Sequence, residues 1–106
     1  MTPEMYRYRA LDRSPMLDEF REQLLLCGLG AAEECGEVAG IVKKHVYHGK
    51  PFSRADFIEE IGDALWYLDR ALALVDCTME MALNINDLKL GRRYPTGFKR
   101  QDEVGT

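Results

Sequence analysis

The sequence predicts an all-α chain of four helices. Apolar residues recur at three- and four-residue intervals through two long stretches, capping residues and prolines stand at the boundaries between stretches, and strand patterns are nearly absent. With 106 residues, 46% hydrophobic and only four prolines, the chain is read as one globular domain.

The first stretch opens at Thr2-Pro3-Glu4, a cap residue followed by proline at the first helical position, and runs to about Arg13, before a second such signal at Ser14-Pro15. The second extends from about Leu17 to Val46 on a stripe of Phe20, Leu24, Cys27, Ala31, Cys35, Val38, Val42 and Val46, with Gly28 or Gly30 as points of interruption. A glycine- and proline-bearing loop, Tyr47 to Phe52, then meets Ser53-Arg54-Ala55-Asp56, which has the form of a capping box and starts the third helix. Its stripe is Phe57, Ile61, Ala64, Leu65, Leu68, Leu72 and Val75. Asp76-Cys77-Thr78 gives a tight connection into a last helix from about Met79 to Leu90, which Gly91 is expected to end. Residues 92–106 read as a turn followed by a tail.

The bulk numbers narrow the function. A formal net charge of −4 argues against binding nucleic-acid polymers through a basic surface. The three cysteines, Cys27, Cys35 and Cys77, lack a Cys-x-x-Cys spacing, so no disulfide framework or zinc knuckle is indicated, and a reducing cytoplasm fits best. The N-terminal segment, with Glu4, Arg7, Arg9, Asp12 and Arg13 among aromatics, lacks the apolar stretch of a signal peptide. The longest apolar run, Leu24 to Ala32, is too short to span a membrane. A domain this small buries only about two thirds of its unfolded surface, so pairing with a second copy is expected to add stability.

Two groups of carboxylates carry the chemical signal: Glu33, Glu34 and Glu37 in the second helix, and Glu60 with Asp63 in the third. At about 100° per residue, each group forms a band beside its helix's apolar stripe, and two such helices packed antiparallel could converge all five. Glu59 projects nearly opposite the stripe, so Glu60 is the site residue by phase. None of the five has a Lys or Arg three or four residues away to relieve the repulsion. A hard divalent cation relieves it well, since magnesium takes oxygen ligands and typically links carboxylates to substrate phosphates. The bland reading of either band alone is a hydrated acidic face; the two at matching phase favour a metal site.

The pattern Glu33-Glu34-Cys35-Gly36-Glu37, 22 residues, then Glu60-Ile61-Gly62-Asp63, resembles the metal-binding signature of the MazG-like nucleotide pyrophosphohydrolases. Asp63-Ala64-Leu65-Trp66-Tyr67 is similar to that family's third-helix segment, and Asn86-Asp87-Leu88-Lys89-Leu90-Gly91-Arg92-Arg93-Tyr94-Pro95 to its Asn-x-x-Lys-Leu-x-x-Arg-Tyr-Pro ending. The resemblance covers about residues 17–98 and leaves 99–106 as a tail. It implies a single all-α domain in which two chains pack into a helical bundle, as a homodimer or a dimer of dimers. It also implies magnesium, with manganese as a substitute, and hydrolysis of ribo- or deoxyribonucleoside triphosphates to the monophosphate and pyrophosphate. Glu33, Glu34, Glu37, Glu60 and Asp63 are carried over as metal and catalytic residues. One second-helix glutamate is a candidate to orient or deprotonate the attacking water. Asn86, Lys89, Arg93 and Tyr94 are the substrate-binding candidates. Independently of the resemblance, Lys89, Arg92, Arg93, Lys99 and Arg100 form a basic segment without an acid between residues 89 and 100, suited to a polyphosphate. For Arg92, Lys99 and Arg100, complementing the negative end of the last helix is explanation enough.

Other residues read as structural. His45 and His48 sit at a helix end without further ligands for zinc. Trp66 and Tyr67 read as core or interface before base-stacking residues, and Met5, Met79 and Met81 as packing. A phosphoribosyl-ATP-type substrate is the alternative within the same chemistry, and a non-catalytic helical interaction module is the alternative outside it. A carboxylate-bridged di-iron bundle is disfavoured because no Glu-x-x-His repeat is present.

Overall fold

The computed structural model describes residues 1–14 and 19–97. They form four helices, α1 (Pro3–Asp12), α2 (Phe20–His48), α3 (Arg54–Leu74) and α4 (Met79–Arg93), and no strand. The Pro15 start signal, the Leu17 boundary, Lys99, Arg100 and the tail lie outside the described residues. No helix among the described residues is long and apolar enough to cross a membrane.

Three helices begin where the cap residues stand. Thr2 Oγ1 accepts from Met5 N–H at 3.1 Å, Ser53 Oγ from Asp56 N–H at 3.2 Å, and Thr78 Oγ1 from Met81 N–H at 3.1 Å, each satisfying one of the amides a helix start leaves unpaired. Gly49 ends α2 in the left-handed region at φ 68°. At the end of α3 Asp76, at φ 56°, takes the left-handed position; its N–H donates to Ala73 O at 3.2 Å, and Cys77 N–H donates to Leu72 O at 2.9 Å. That pair of bonds turns the chain into α4 with the helix carbonyls satisfied.

Glycine proves a weaker stop than the sequence reading assigned. α2 runs unbroken through Gly28 and Gly30, and α4 continues past Gly91 to Arg93. A glycine inside a helix costs only about 1 kcal/mol against alanine, which the flanking turns absorb. Gly30 has a packing role instead. α2 and α3 form the main interface, and a Cβ at Gly30 would fall on the Tyr67 ring. Gly30→Ala should therefore destabilise the fold by about 1–2 kcal/mol, the cost of overpacking less the gain in helix propensity. Tyr67→Leu in the same chain should recover most of it, as read by chemical denaturation; a neutral Gly30→Ala would mean that the ring does not pack there.

The apolar stripes are only partly covered: they supply the buried Cys27 and Ala64, but most of their large side chains are exposed. On α3 the side turned to α2 carries Glu60, Ala64 and Tyr67, with Ala64 buried, whereas Ile61, Leu65, Leu68 and Val75 are exposed. On α2 Cys27 and Gly30 are buried, but Phe20, Leu24, Cys35, Val42 and Val46 are exposed. α4 buries none of its residues, and Met81, Leu83, Ile85, Leu88 and Leu90 are exposed. Met5 and Met81 are likewise exposed rather than packed, while Met79 is half-buried. A period marks an apolar face without saying which chain covers it.

α1 is held by polar chemistry. It buries only Ala10, and Arg7 clasps Asp69 of α3, Nη2 to Oδ1 at 2.9 Å and Nε to Oδ2 at 3.2 Å. Asp69 is 1% exposed and Arg7 20%. Asp69 has no basic residue three or four positions away in its helix; its partner comes from 62 residues away.

His45 packs the α2–α3 loop, as its position at a helix end suggested. Its Nδ1 lies 2.8 Å from the Lys50 carbonyl oxygen, and its ring meets Phe52 edge-on at 5.7 Å.

Candidate functional site

The paired positions Glu34 with Glu60 and Gly30 with Tyr67 show that α2 and α3 run antiparallel. That arrangement brings three of the five carboxylates together. Glu34, Glu60 and Asp63 each offer an oxygen, and these oxygens lie within 4.8 Å of one another. Glu34 and Glu60 are half-buried and Asp63 is exposed, so the group is open on one side. Glu59 is exposed, as its phase required.

The other two acids differ. Glu37, one turn beyond Glu34, is close enough to act on Glu60 electrostatically. Glu33 is exposed and does not join the group. It stands 100° from Glu34 on the helix and so falls to the flank of the side turned to α3.

Charge crowding shows in Glu60, whose carboxyl holds its proton above the ordinary glutamate range. Partial withdrawal from water raises it first, then a hydrogen bond with the Glu34 carboxyl, then repulsion from Glu34, Asp63 and Glu37. Among the described residues no Lys or Arg pairs with any of these acids. Three hard oxygen donors that repel one another and face an opening suit a divalent cation of the magnesium type.

The sign of the pH effect follows. The folded chain holds the Glu60 proton more tightly than the unfolded chain, so this group's stabilisation is fully present below its ordinary pKa, about 4.3, and is lost as pH rises through the raised value. In EDTA, thermal midpoints of the wild type relative to Glu60→Gln should fall across that window. At neutral pH magnesium should raise the midpoint of the wild type more than that of Glu60→Gln. Equal responses would show that Glu60 does not meet the ion.

α1 borders the same flank. The Tyr6 hydroxyl is raised above its ordinary pKa by burial and then by the nearby charges of Asp69 and Asp63, with Arg13 opposing. The sequence reading did not single out Tyr6, since no motif marks it.

The substrate-binding candidates are carried by and just after α4. Asn86, Lys89 and Arg93 share one face of α4 at three- and four-residue steps and are exposed, as is Tyr94. α4 packs only lightly, against α3. Among the described residues no hydrogen bond or ion pair links Asn86, Lys89 or Arg93 to the carboxylates.

Sequence reasoning also passed over Arg70, which is 4% exposed and has its guanidinium over the Trp66 ring, 4.8 Å from the centroid. Trp66 and Tyr67 are half-buried and meet edge to face at 4.9 Å. A signal was present, because Asp69 and Arg70 have only apolar or aromatic residues at three- and four-residue spacings, an unusual setting for charges on a hydrated face.

Comparison of the chain with protein-family profiles, with curated proteins and with solved structures yields no match.

Proposed function

We propose that the chain is a magnesium-dependent nucleoside triphosphate pyrophosphohydrolase of the MazG-like type, releasing the monophosphate and pyrophosphate. The observation that carries this reading is the approach of Glu34, Glu60 and Asp63 oxygens to within 4.8 Å across two antiparallel helices, without a basic partner among the described residues. These three, with Glu37 beside them, would hold the ion. When bound, magnesium or manganese there would neutralise phosphate oxygens and make a water more acidic. The residues' own part is to fix the donors in place and keep one side open to a polyphosphate. A glutamate of α2 within hydrogen-bond reach of that water would orient it and take its proton; Glu37, outside the three but near enough to act on Glu60, is the one we assign to it.

Assembly belongs to the same proposal. The exposed stripe of α3 and the wholly unburied α4 are the faces a second copy would cover, and a helical bundle made by two chains would use both. Pairing is also what would bring Asn86, Lys89 and Arg93 to the polyphosphate, because within a single chain none of them bonds to the carboxylates among the described residues. Three free cysteines accord with a reducing cytoplasm.

The test is a panel of ribo- and deoxyribonucleoside triphosphates, with and without magnesium, with products resolved as monophosphate plus pyrophosphate or diphosphate plus phosphate, and with the protein's size measured in the same buffer. Magnesium-dependent monophosphate and pyrophosphate from a dimer or tetramer is the expected result. No turnover of any triphosphate would overturn it in favour of a phosphoribosyl-nucleotide substrate or a non-catalytic role.

A further inference from the structure

Among the described residues one buried cation has no counter-charge. Arg70 Nε and Nη1 are fully buried and have no hydrogen-bond acceptor. A guanidinium stays charged at any working pH, and an unpaired buried charge is among the most costly features a fold can keep. The stack on Trp66 offsets only part of that cost. The charge of the adjacent carboxylate is already matched, since Asp69 accepts from Arg7 through both oxygens, and Arg70 Nε and Nη1 do not reach it. What Arg70 lacks is negative charge as well as lone pairs, so the missing partner is an anion.

Its place on α3 indicates which anion. At 100° per residue Asp63, Trp66, Tyr67 and Arg70 lie on one strip of the helix, and Arg70 is two turns, about 10.5 Å, beyond Asp63. Arg70 therefore sits between the side of α3 that meets α1 at Asp69 and the side that meets α2 at Tyr67. α1 buries one side chain of its own and is the less firmly held wall, so an anion that reaches Arg70 would do so from that side. A polyphosphate anchored at the carboxylates can extend along this strip.

We propose that Arg70 binds a phosphate group of the nucleotide through its unpaired donors, with Trp66 as the platform beneath it. The nucleotide as ligand rests on the hydrolase reading; the binding of a phosphate oxyanion does not. Free inorganic phosphate offers the same chemistry, and the experiment separates the two sources.

Trp66 is the chain's single tryptophan, so its emission reports directly on the guanidinium stacked against it. The full chain in EDTA is titrated with inorganic phosphate and with pyrophosphate, against sodium chloride at matched ionic strength. A saturable change with the phosphates alone is expected. Arg70→Gln should weaken it at least about tenfold, the worth of one charge-assisted pair, and Arg70→Lys should weaken it less. Glu34→Gln should keep it. A flat response, or one that survives Arg70→Gln, overturns the proposal. If Arg70→Gln does not fold, Arg70→Lys decides, because an undiminished response without the guanidinium fork is equally fatal. In turnover assays phosphate should compete with the nucleotide; a noncompetitive pattern would overturn the substrate's phosphate as the ligand in favour of free phosphate. Loss of the hydrolase reading would appear separately, as absent turnover with the emission response intact.

Discussion

Glu34→Gln or Asp63→Asn should lower magnesium-dependent hydrolysis of nucleoside triphosphates by about a hundredfold or more, the scale on which a positioned catalytic carboxylate acts, while the far-UV helical signal is unchanged. The reason is local. Each substitution removes one charged oxygen from a group whose members lie within 4.8 Å, and a neutral amide is a poorer ligand for a hard cation. The fold loses nothing by it, because the exchange also relieves repulsion among Glu34, Glu60, Asp63 and Glu37. The variants should therefore be at least as stable as the wild type in EDTA and inactive in magnesium, a combination that general damage to the protein does not produce. Glu33→Gln and Glu59→Gln, both on exposed positions outside the group, should leave turnover nearly intact. Full activity in Glu34→Gln or Asp63→Asn would remove these carboxylates from the mechanism.

Arg7→Ala should cost about 3 kcal/mol of folding stability, at the lower end of the range for breaking a buried ion pair. The size follows from the asymmetry of the pair. Asp69 is 1% exposed and keeps its charge out of water, whereas Arg7 is 20% exposed, so water reaches part of the interaction. Most of the loss is the uncompensated Asp69 carboxylate rather than the missing attraction, and replacing both partners should restore much of it. Arg7→Met with Asp69→Leu is the variant to compare in urea denaturation. A loss under 1 kcal/mol for Arg7→Ala alone would mean that solvent reaches Asp69 and that α1 is not seated as described.

Some of this was legible in the residues and some was not, for reasons that differ by position. Helix starts could be read because a cap acts over three residues, and Thr2, Ser53 and Thr78 all make the bond their types foretell. The preference for Glu60 over Glu59 followed from helical phase alone. A glycine alone did not mark a helix end: Gly49 does end α2, whereas Gly30 and Gly91 impose a local cost that neighbouring turns outweigh. The faces were harder still. Of the α3 stripe Ala64 is buried, yet Ile61, Leu65 and Leu68 are exposed, and Tyr67, outside the stripe, is the residue that meets Gly30 of α2. Asp69 could not be paired in advance because nothing near it in sequence announces Arg7. Convergence of three acids out of five likewise depends on how α2 is rotated against α3, which periodicity leaves open.

The lengths of the connections carry a consequence for the order in which the protein assembles itself. α2 and α3 are joined by the five residues 49–53 and meet as an antiparallel hairpin, so their contacts form at small loop-closure cost. The bond from Arg7 to Asp69 closes a loop of 62 residues, so α1 is expected to take its place after the hairpin is there to receive it. Glu34, Glu60 and Asp63 all belong to the hairpin. The three carboxylates are thus expected to be drawn together in the earliest folded unit, where their mutual repulsion opposes the closing of that unit; a divalent cation that binds them as proposed would speed the step as well as stabilise its product.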